Sequence, residues 1–557
     1  MSLIRLATPS SVVRSPAPTN PTIVAYYQRF APYLVLVIGI GFRLFHFFYN
    51  RSLFIDELYL NISLIKLNFW ELATQALAYE QKAPIGYLWA VKLCVLLFGK
   101  GEKALRLFSL FCGISALFAF IPVARFYLKT WGVILAVGVL ALSWATIYHS
   151  VEAKQYSVEL LATVLGLLLY TRYHNATRLL PLLLWGLAGG LLLWFSFSLI
   201  FVLAGIGSAV SLKVIFERNW KRFFTYLIPF SLWLFSFSLL YMLFLSKYHQ
   251  SGWLIDFFDK AYDAFMPLRL TSFAQVIWFL KKPYNILYHP LGLLLHLDEN
   301  IDSSSVKFIL KLGWLEGVFI VFGMIMLFRS DKLNFFILFL PILITFLASA
   351  FKFYPIFDRF ILFLAPPIIL FLAFGAEKVI ELFSLRYKAA LLVVFLLASP
   401  ALANSAHHVF YPDTFVKLSN STEREGIFYI NKNFKEGDVV YVFWNMRHAY
   451  DYYKEAYGLK YTAIRGSYVK SISTSPEDYL RKLSPDFENF KGKKRLWYIY
   501  NTNNKDDIGE YVGQPAWYSK DGYTAPLSVE QELVKIGDKI FRYRLYKQHI
   551  ILYDLKK

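Results

Sequence analysis

Phe54-Ile55-Asp56-Glu57-Leu58-Tyr59 follows closely on an apolar run over residues 31–49, which is long enough to cross a bilayer. Two adjacent carboxylates therefore stand where the chain leaves the membrane. Water, headgroups and a low-dielectric surface meet there, so an acid is easily desolvated and its basicity raised. Asp56 also suits the N-cap of a helix running from Glu57. A cap accounts for one acid only, and the two roles are compatible.

The composition around this stretch is that of a polytopic membrane protein. The 557 residues are 57% hydrophobic and 19% aromatic, and the apolar residues come in long runs. The net charge of +20 is dispersed, which fits cytoplasmic-loop Lys and Arg that orient helices and speaks against nucleic acid as a partner. Cys94 and Cys112 both lie in apolar segments and read as packing residues.

The chain divides into three parts. Residues 1–30, rich in Ser, Pro and Thr, predict a disordered cytoplasmic tail with no cleaved signal peptide. Residues 31–403 form the transmembrane domain. Arg43, inside the first span, either snorkels or meets a substrate anion. Residues 58–77 and 85–98 read as helices lying in the interface. Crossings follow over 105–127, 132–148 and a segment ending at 170. Residues 179–212 make a hairpin turning at Ser196-Phe197-Ser198. Further crossings cover 223–245, 312–328, 333–351, 360–375 and 389–403, with a long amphipathic external loop over 246–311. This gives about eleven transmembrane helices. Arg125, Lys129, Arg172, Arg178 and Arg222 fall in the inner loops, so the N-terminus is expected inside and the C-terminus outside. Residues 404–557 change character, with strand patterns at 438–444 and 495–500, helices at 446–457 and 528–536, and a closing hairpin over 541–546 and 550–554. They predict an extracytoplasmic α/β domain of ordinary size, without a GxGxxG or P-loop motif.

This topology gathers the acids Asp56, Glu57 and Glu152 and the cations Lys82, Lys154, Arg269, Lys281, Lys282 and Arg359 at the outer membrane level. Acids alone would suit cation transport. Acids beside cations suit a reaction on a lipid phosphate, in which a carboxylate takes the proton of an acceptor hydroxyl while Lys and Arg neutralise the departing phosphate. The alternative is a transporter of lipid-linked or anionic solutes, which would place ionisable residues at mid-membrane in broken helices.

The order Asp56-Glu57, Lys82-x-Pro84 before a short helix, Arg106, Glu152-x-Lys154-Gln155-Tyr156 and Tyr354-Pro355-x-x-x-Arg359 resembles the polyprenyl-phosphate-dependent glycosyltransferases of the C-type superfamily. The nearest group is glycosyltransferase family 39, the protein O-mannosyltransferases and lipid A aminoarabinose transferases. The resemblance covers most of residues 31–403 and implies a C-type glycosyltransferase fold. It makes Asp56 the catalytic carboxylate of the first external loop, with Glu57 and Glu152 as further catalytic acids. It places Lys82, Lys154, Tyr354 and Arg359 around the lipid phosphate, and Tyr156 and Arg106 in the acceptor or sugar pocket. Ala83 stands where relatives carry the first of two prolines. The implied activity is inverting transfer of a hexose or pentose from a polyprenyl-phosphate donor to a hydroxyl of a lipid, glycan or protein acceptor on the extracytoplasmic face. The donor linkage supplies the energy, so no cofactor and no metal are expected.

Overall fold

A computed structural model describes residues 21–248, 252–295, 313–416, 422–502, 515–518, 520 and 522–555, without the side chains of 21–29 and 314. Residues 1–20 of the expected tail and 296–311 of the expected external loop lie outside the described residues. Residues 21–30 are not tail: helix α1 (Pro21–Tyr49) opens on Pro21, where a missing N–H costs nothing. After it come α2 (Ile55–Lys66), α3 (Phe69–Thr74), α4 (Ile85–Phe98), α5 (Glu102–Tyr127), α6 (Thr130–Leu142), α7 (Trp144–Ser150) and α8 (Tyr156–Tyr173). Next are α9 (Leu179–Leu193), α10 (Leu199–Phe216), α11 (Trp220–Leu243), and two amphipathic helices, α12 (Gly252–Tyr262) and α13 (Phe273–Tyr288). The bundle closes with α14 (Trp314–Ser330), α15 (Lys332–Ala350), α16 (Ala365–Leu382) and α17 (Tyr387–Phe410).

Among the described residues seven helices are long and apolar enough to cross a bilayer, or eight if the bent pair α6–α7 is one span. The chain is an integral, multi-pass membrane protein. The other three segments expected to cross, α8, α9 and α14, are helices that fall outside that measure. The fifteen residues of α9 reach about 22 Å, against a hydrocarbon core of about 30 Å. The turn expected at Ser196-Phe197-Ser198 lies between α9 and α10. Helix α17 runs on to Phe410, past the expected boundary at 403.

Arg43 does neither thing the sequence suggested. It is fully buried and holds the 52° break between α6 and α7. Its guanidinium donates to the carbonyls of Ala141 (2.7 Å) and Leu140 (3.4 Å), to Thr146 Oγ1 (3.0 Å) and to Ser150 Oγ (3.1 Å). A broken helix frees carbonyls that lipid cannot satisfy, and one arginine meets several of them. Elsewhere α14 and α16 cross backbone to backbone. A Cβ on Gly323 would collide with the Phe371 carbonyl oxygen, and one on Gly375 with that of Phe319. The basic turns meet at one end: Lys129 and Lys378 share Glu381, and Arg222 donates to Asn175. Arg125 sits about 28 Å along α5 from Arg106, which marks the other end.

At that other end sits the C-terminal domain, built from α18 (Glu423–Asn433), β1 (Asp438–Val442), α19 (Arg447–Tyr457), β2 (Ile464–Arg465), α20 (Pro476–Glu488), β3 (Arg495–Asn501), α21 (Ala525–Ile536), β4 (Gly537–Arg544) and β5 (Gln548–Leu555). The strands lie in the order β2-β1-β3-β5-β4, with β1 parallel to β2 and β3, and β5 antiparallel to β3 and β4. Successive side chains take opposite faces. Val439, Tyr441 and Tyr498 pack under α20 and α21. Val440, Val442 and Trp497 pack with α18 and α19, and that core runs on without a break into Leu58, Leu64 and Tyr87 of α2 and α4. This corrects the reading of residues 58–77 as one helix in the lipid interface. The segment breaks between α2 and α3, and α2 is buried from Asp56 to Ile65, with α19 among the elements packed on it.

Candidate active site

A cavity of about 810 Å³ opens between one end of the bundle and the C-terminal domain. Volumes of this order take a drug-sized ligand or a sugar with its phosphate. Asp56, Lys82, Lys154, Tyr156 and Arg359 all line it, five residues drawn from four separate stretches of the sequence.

Asp56 is the second residue of α2 and is almost entirely buried. It is not the cap: α2 starts one residue before it, and the N–H of Phe54 is taken by Glu57 Oε2 at 2.9 Å. Arg359 Nη2 donates to Asp56 Oδ2 at 2.5 Å. That arginine lies in a 3-10 helical turn (Asp358–Leu364) leading into α16, with its guanidinium over the rings of Tyr156 and Phe360. Its Nε is buried with no protein partner. Lys154 donates to Gln81 Oε1 at 2.6 Å, and burial lowers its pKa to about 8, an effect the nearby Asp56 partly offsets. Burial lowers that of Lys82 as well, while Glu80 acts the other way. Pro84 stands just before the short α4, two residues after Lys82.

The remaining predicted site residues stand outside the cavity. Glu57 is fully buried behind Asp56. Arg51 Nη1 lies 2.6 Å and Arg106 Nη2 3.3 Å from its oxygens, and the N–H of Ala153 donates at 2.8 Å. Burial pushes its pKa up, but the two guanidinium groups and the backbone donors overcome that and hold it at about 2. Arg106, expected in an acceptor or sugar pocket, does not line the cavity. It is 1% exposed and spends its donors on Glu57 and on the carbonyl of Arg51 at 2.7 Å. Glu152 pairs with His149 Nδ1 at 2.7 Å, and His149 Nε2 meets His289 Nε2 at 2.9 Å. Tyr354 donates to the Phe360 carbonyl at 2.7 Å and so braces the turn that carries Arg359.

Sequence reasoning missed the aromatic walls and everything the C-terminal domain supplies. Tyr59 and Tyr79 stack with centroids 4.1 Å apart, and Trp253 of α12 donates to Glu80 at 2.8 Å. Tyr79 and Glu80, both lining the cavity, have φ of 55° and 51°. Two consecutive non-glycine residues in the left-handed region are strained, and such strain gathers at functional sites. Trp444, Arg447, His448, Asp451 and Tyr468 complete the lining from the C-terminal side. Trp444, Arg447 and His448 follow the carboxyl end of the parallel strand β1, a place where α/β domains commonly bind ligands. That position is the one signal the sequence offered for them.

No protein-family model matches the sequence, and no curated protein matches it. Solved structures do. The crystal structure of ArnT from Cupriavidus metallidurans in the apo state aligns over 93% of this chain and 97% of that one, with a TM-score of 0.50 and 11% identity. The same protein bound to undecaprenyl phosphate gives 0.49 at 12% identity, over 96% and 98% of the two chains. The archaeal oligosaccharyltransferase AglB from Archaeoglobus fulgidus, in complex with an inhibitory peptide and a dolichol-phosphate, gives 0.48 at 14% identity, over 94% of this chain and 74% of that one. The architecture expected from the Asp56, Lys82 and Arg359 stretches is the one the chain has: the fold of the C-type glycosyltransferases.

Proposed function

We propose that the chain is an inverting glycosyltransferase that moves a sugar from a polyprenyl-phosphate donor to an acceptor hydroxyl. The observation that carries this is the meeting of Asp56 and Arg359, 2.5 Å apart, in one cavity with Lys82 and Lys154. A carboxylate that takes a proton and cations that take a phosphate are the two things the reaction needs.

In the proposed reaction the donor phosphate sits on Lys82, Lys154 and the Arg359 donors that Asp56 leaves unused. Asp56 accepts the acceptor's hydroxyl proton. The hydroxyl oxygen attacks the anomeric carbon from the face opposite the phosphate, and a new C–O bond forms as the bond to the phosphate oxygen breaks. The electron pair leaves with the phosphate, whose charge the cations stabilise. A single displacement inverts the anomeric centre. The aromatic walls give the sugar's apolar faces surfaces to stack on and keep out water. Glu57 and Arg106 hold the segment in front of Asp56, and Glu152 pairs with His149. A transporter would carry its charges at mid-membrane, and Arg43, buried in α1, is used up on the α6–α7 break.

The test is donor-lipid binding. Removing a charge-assisted phosphate contact costs about 1.5–3 kcal/mol. Arg359→Ala and Lys82→Ala are therefore expected to weaken undecaprenyl phosphate binding to the purified protein by roughly 10- to 150-fold. Arg359→Lys is expected not to restore it, because an ammonium cannot serve both Asp56 and a phosphate as a fork does. Unchanged affinity in both alanine variants would reduce these residues to interfacial anchors.

A further inference from the structure

Residues 50–54, between α1 and α2, have no regular structure, yet the segment is held along its length. Arg106 donates to Asn50 Oδ1 (3.2 Å) and to the carbonyls of Arg51 (2.7 Å) and Ser52 (3.4 Å). Glu57 receives the N–H of Phe54. Further holds come from the far end of the chain. The hydroxyl of Tyr453, on α19, accepts from the N–H of Leu53 at 3.3 Å and shares a hydrogen bond with Ser52 Oγ at 3.2 Å. The N–H of Arg424 donates to the same Ser52 Oγ at 3.2 Å.

Tyr453 has no exposed surface, and its helix is fixed along its length. His448 meets the ring of Tyr59 edge-on at 5.3 Å. Tyr452 donates to the Lys100 carbonyl at 2.9 Å, Glu455 pairs with Lys100, and Tyr457 bonds to Glu102, which also pairs with Arg424 at 2.9 Å. Helix α19 thus spans from the cavity, where it places Arg447, His448 and Asp451, to the start of α5. In between it grips the backbone three residues ahead of Asp56.

We infer that Tyr453 is a positioning residue for Asp56, and that the C-terminal domain is part of the catalytic apparatus as well as a wall of the cavity. The inference rests on the reading of Asp56 as the general base. Ser52 and Leu53 set where α2 begins, and the start of α2 sets where the Asp56 carboxylate lies. A misplacement of about 1 Å in a reacting group costs on the order of 10²-fold in rate. A single lost hydroxyl contact, with the Arg106 and Arg424 contacts intact, is expected to cost less than that.

The test uses the full-length protein in proteoliposomes that contain a native membrane extract as the source of acceptor hydroxyls, supplied with undecaprenyl-phosphate-linked hexoses and aminopentoses, and follows released undecaprenyl phosphate. Tyr453→Phe keeps the ring and the packing and removes only the hydroxyl. It is expected to lower kcat about 10-fold with donor KM and undecaprenyl phosphate binding unchanged. In an Asp56→Asn background the same substitution is expected to have no further effect, because a residue that acts through Asp56 has nothing left to position. Amide hydrogen exchange across residues 51–58 is expected to quicken in Tyr453→Phe while the rest of the bundle keeps its protection. Wild-type kcat and wild-type exchange in Tyr453→Phe would overturn the inference, as would an equal fold-loss in the Asp56→Asn background. If Asp56→Asn itself turns over normally, the base assignment fails and this inference falls with it. If Asp56→Asn is slow and Tyr453→Phe is not, only this inference falls.

Discussion

Asp56 and Glu57 are adjacent and chemically alike, and the structure gives them different surroundings. Neighbours on a helix point about 100° apart, so one carboxylate faces the cavity and Arg359 while the other faces Arg51 and Arg106 behind α2. That difference predicts separable effects. Glu57→Gln leaves two buried guanidinium groups without their anion, a loss of about 3–5 kcal/mol for a broken buried pair. Thermal unfolding in detergent is expected to show a large drop for Glu57→Gln and little change for Asp56→Asn. The pH dependence follows from the depressed pKa of Glu57. Its contribution is complete above its ordinary value of 4.5 and is lost as pH falls from there through about 2, so acid unfolding is expected to begin at higher pH in Glu57→Gln. Equal stability of Glu57→Gln and wild type would mean that this ion pair does not hold the segment. The sequence made the pair of acids visible; which one meets Arg359 depends on where α2 starts, and Phe54, the residue before it, carries no polar cap to announce that.

At the scale of elements, legibility followed the length of the pattern. The apolar runs and the strands at 438–442 and 495–501 stood out because their periods repeat over many residues. The two-residue β2 and the helix α20 did not. For Arg43 the sequence suggests snorkelling or a substrate anion, because a lone arginine inside a span usually does one or the other. Its true role depends on the break at Ser143, and nothing local in residues 130–150 marks that break: there is no proline there. Residues 58–77 suggest a helix in the lipid interface because apolar residues mix there with Asn61, Lys66, Asn68 and Glu71. The partner that buries α2 is α19, almost 400 residues further along, and local pattern carries no trace of such a contact.

For the whole molecule, the bundle and the position of its acids and cations were legible, and the part of the site supplied by the C-terminal domain was not. We propose the orientation that the charge bias implies: basic turns inside, cavity and C-terminal domain outside. In a Cys94→Ser background, a cysteine at Ser484, exposed on α20, is expected to react with an impermeant thiol reagent in intact cells. One at Ser330, exposed at the end of α14, is expected not to react, and the reverse labelling would invert the proposed side of the reaction. The central claim is that Asp56 accepts a proton during sugar transfer from a lipid phosphate held beside it. It is tested most directly by comparing wild type with Asp56→Asn in the same proteoliposomes, measuring by mass spectrometry the undecaprenyl phosphate released from the donor panel. Asparagine keeps the shape of the side chain and cannot take the proton. The account predicts release slowed by roughly 10²–10⁴ in Asp56→Asn while undecaprenyl phosphate still binds; release at the wild-type rate would contradict it.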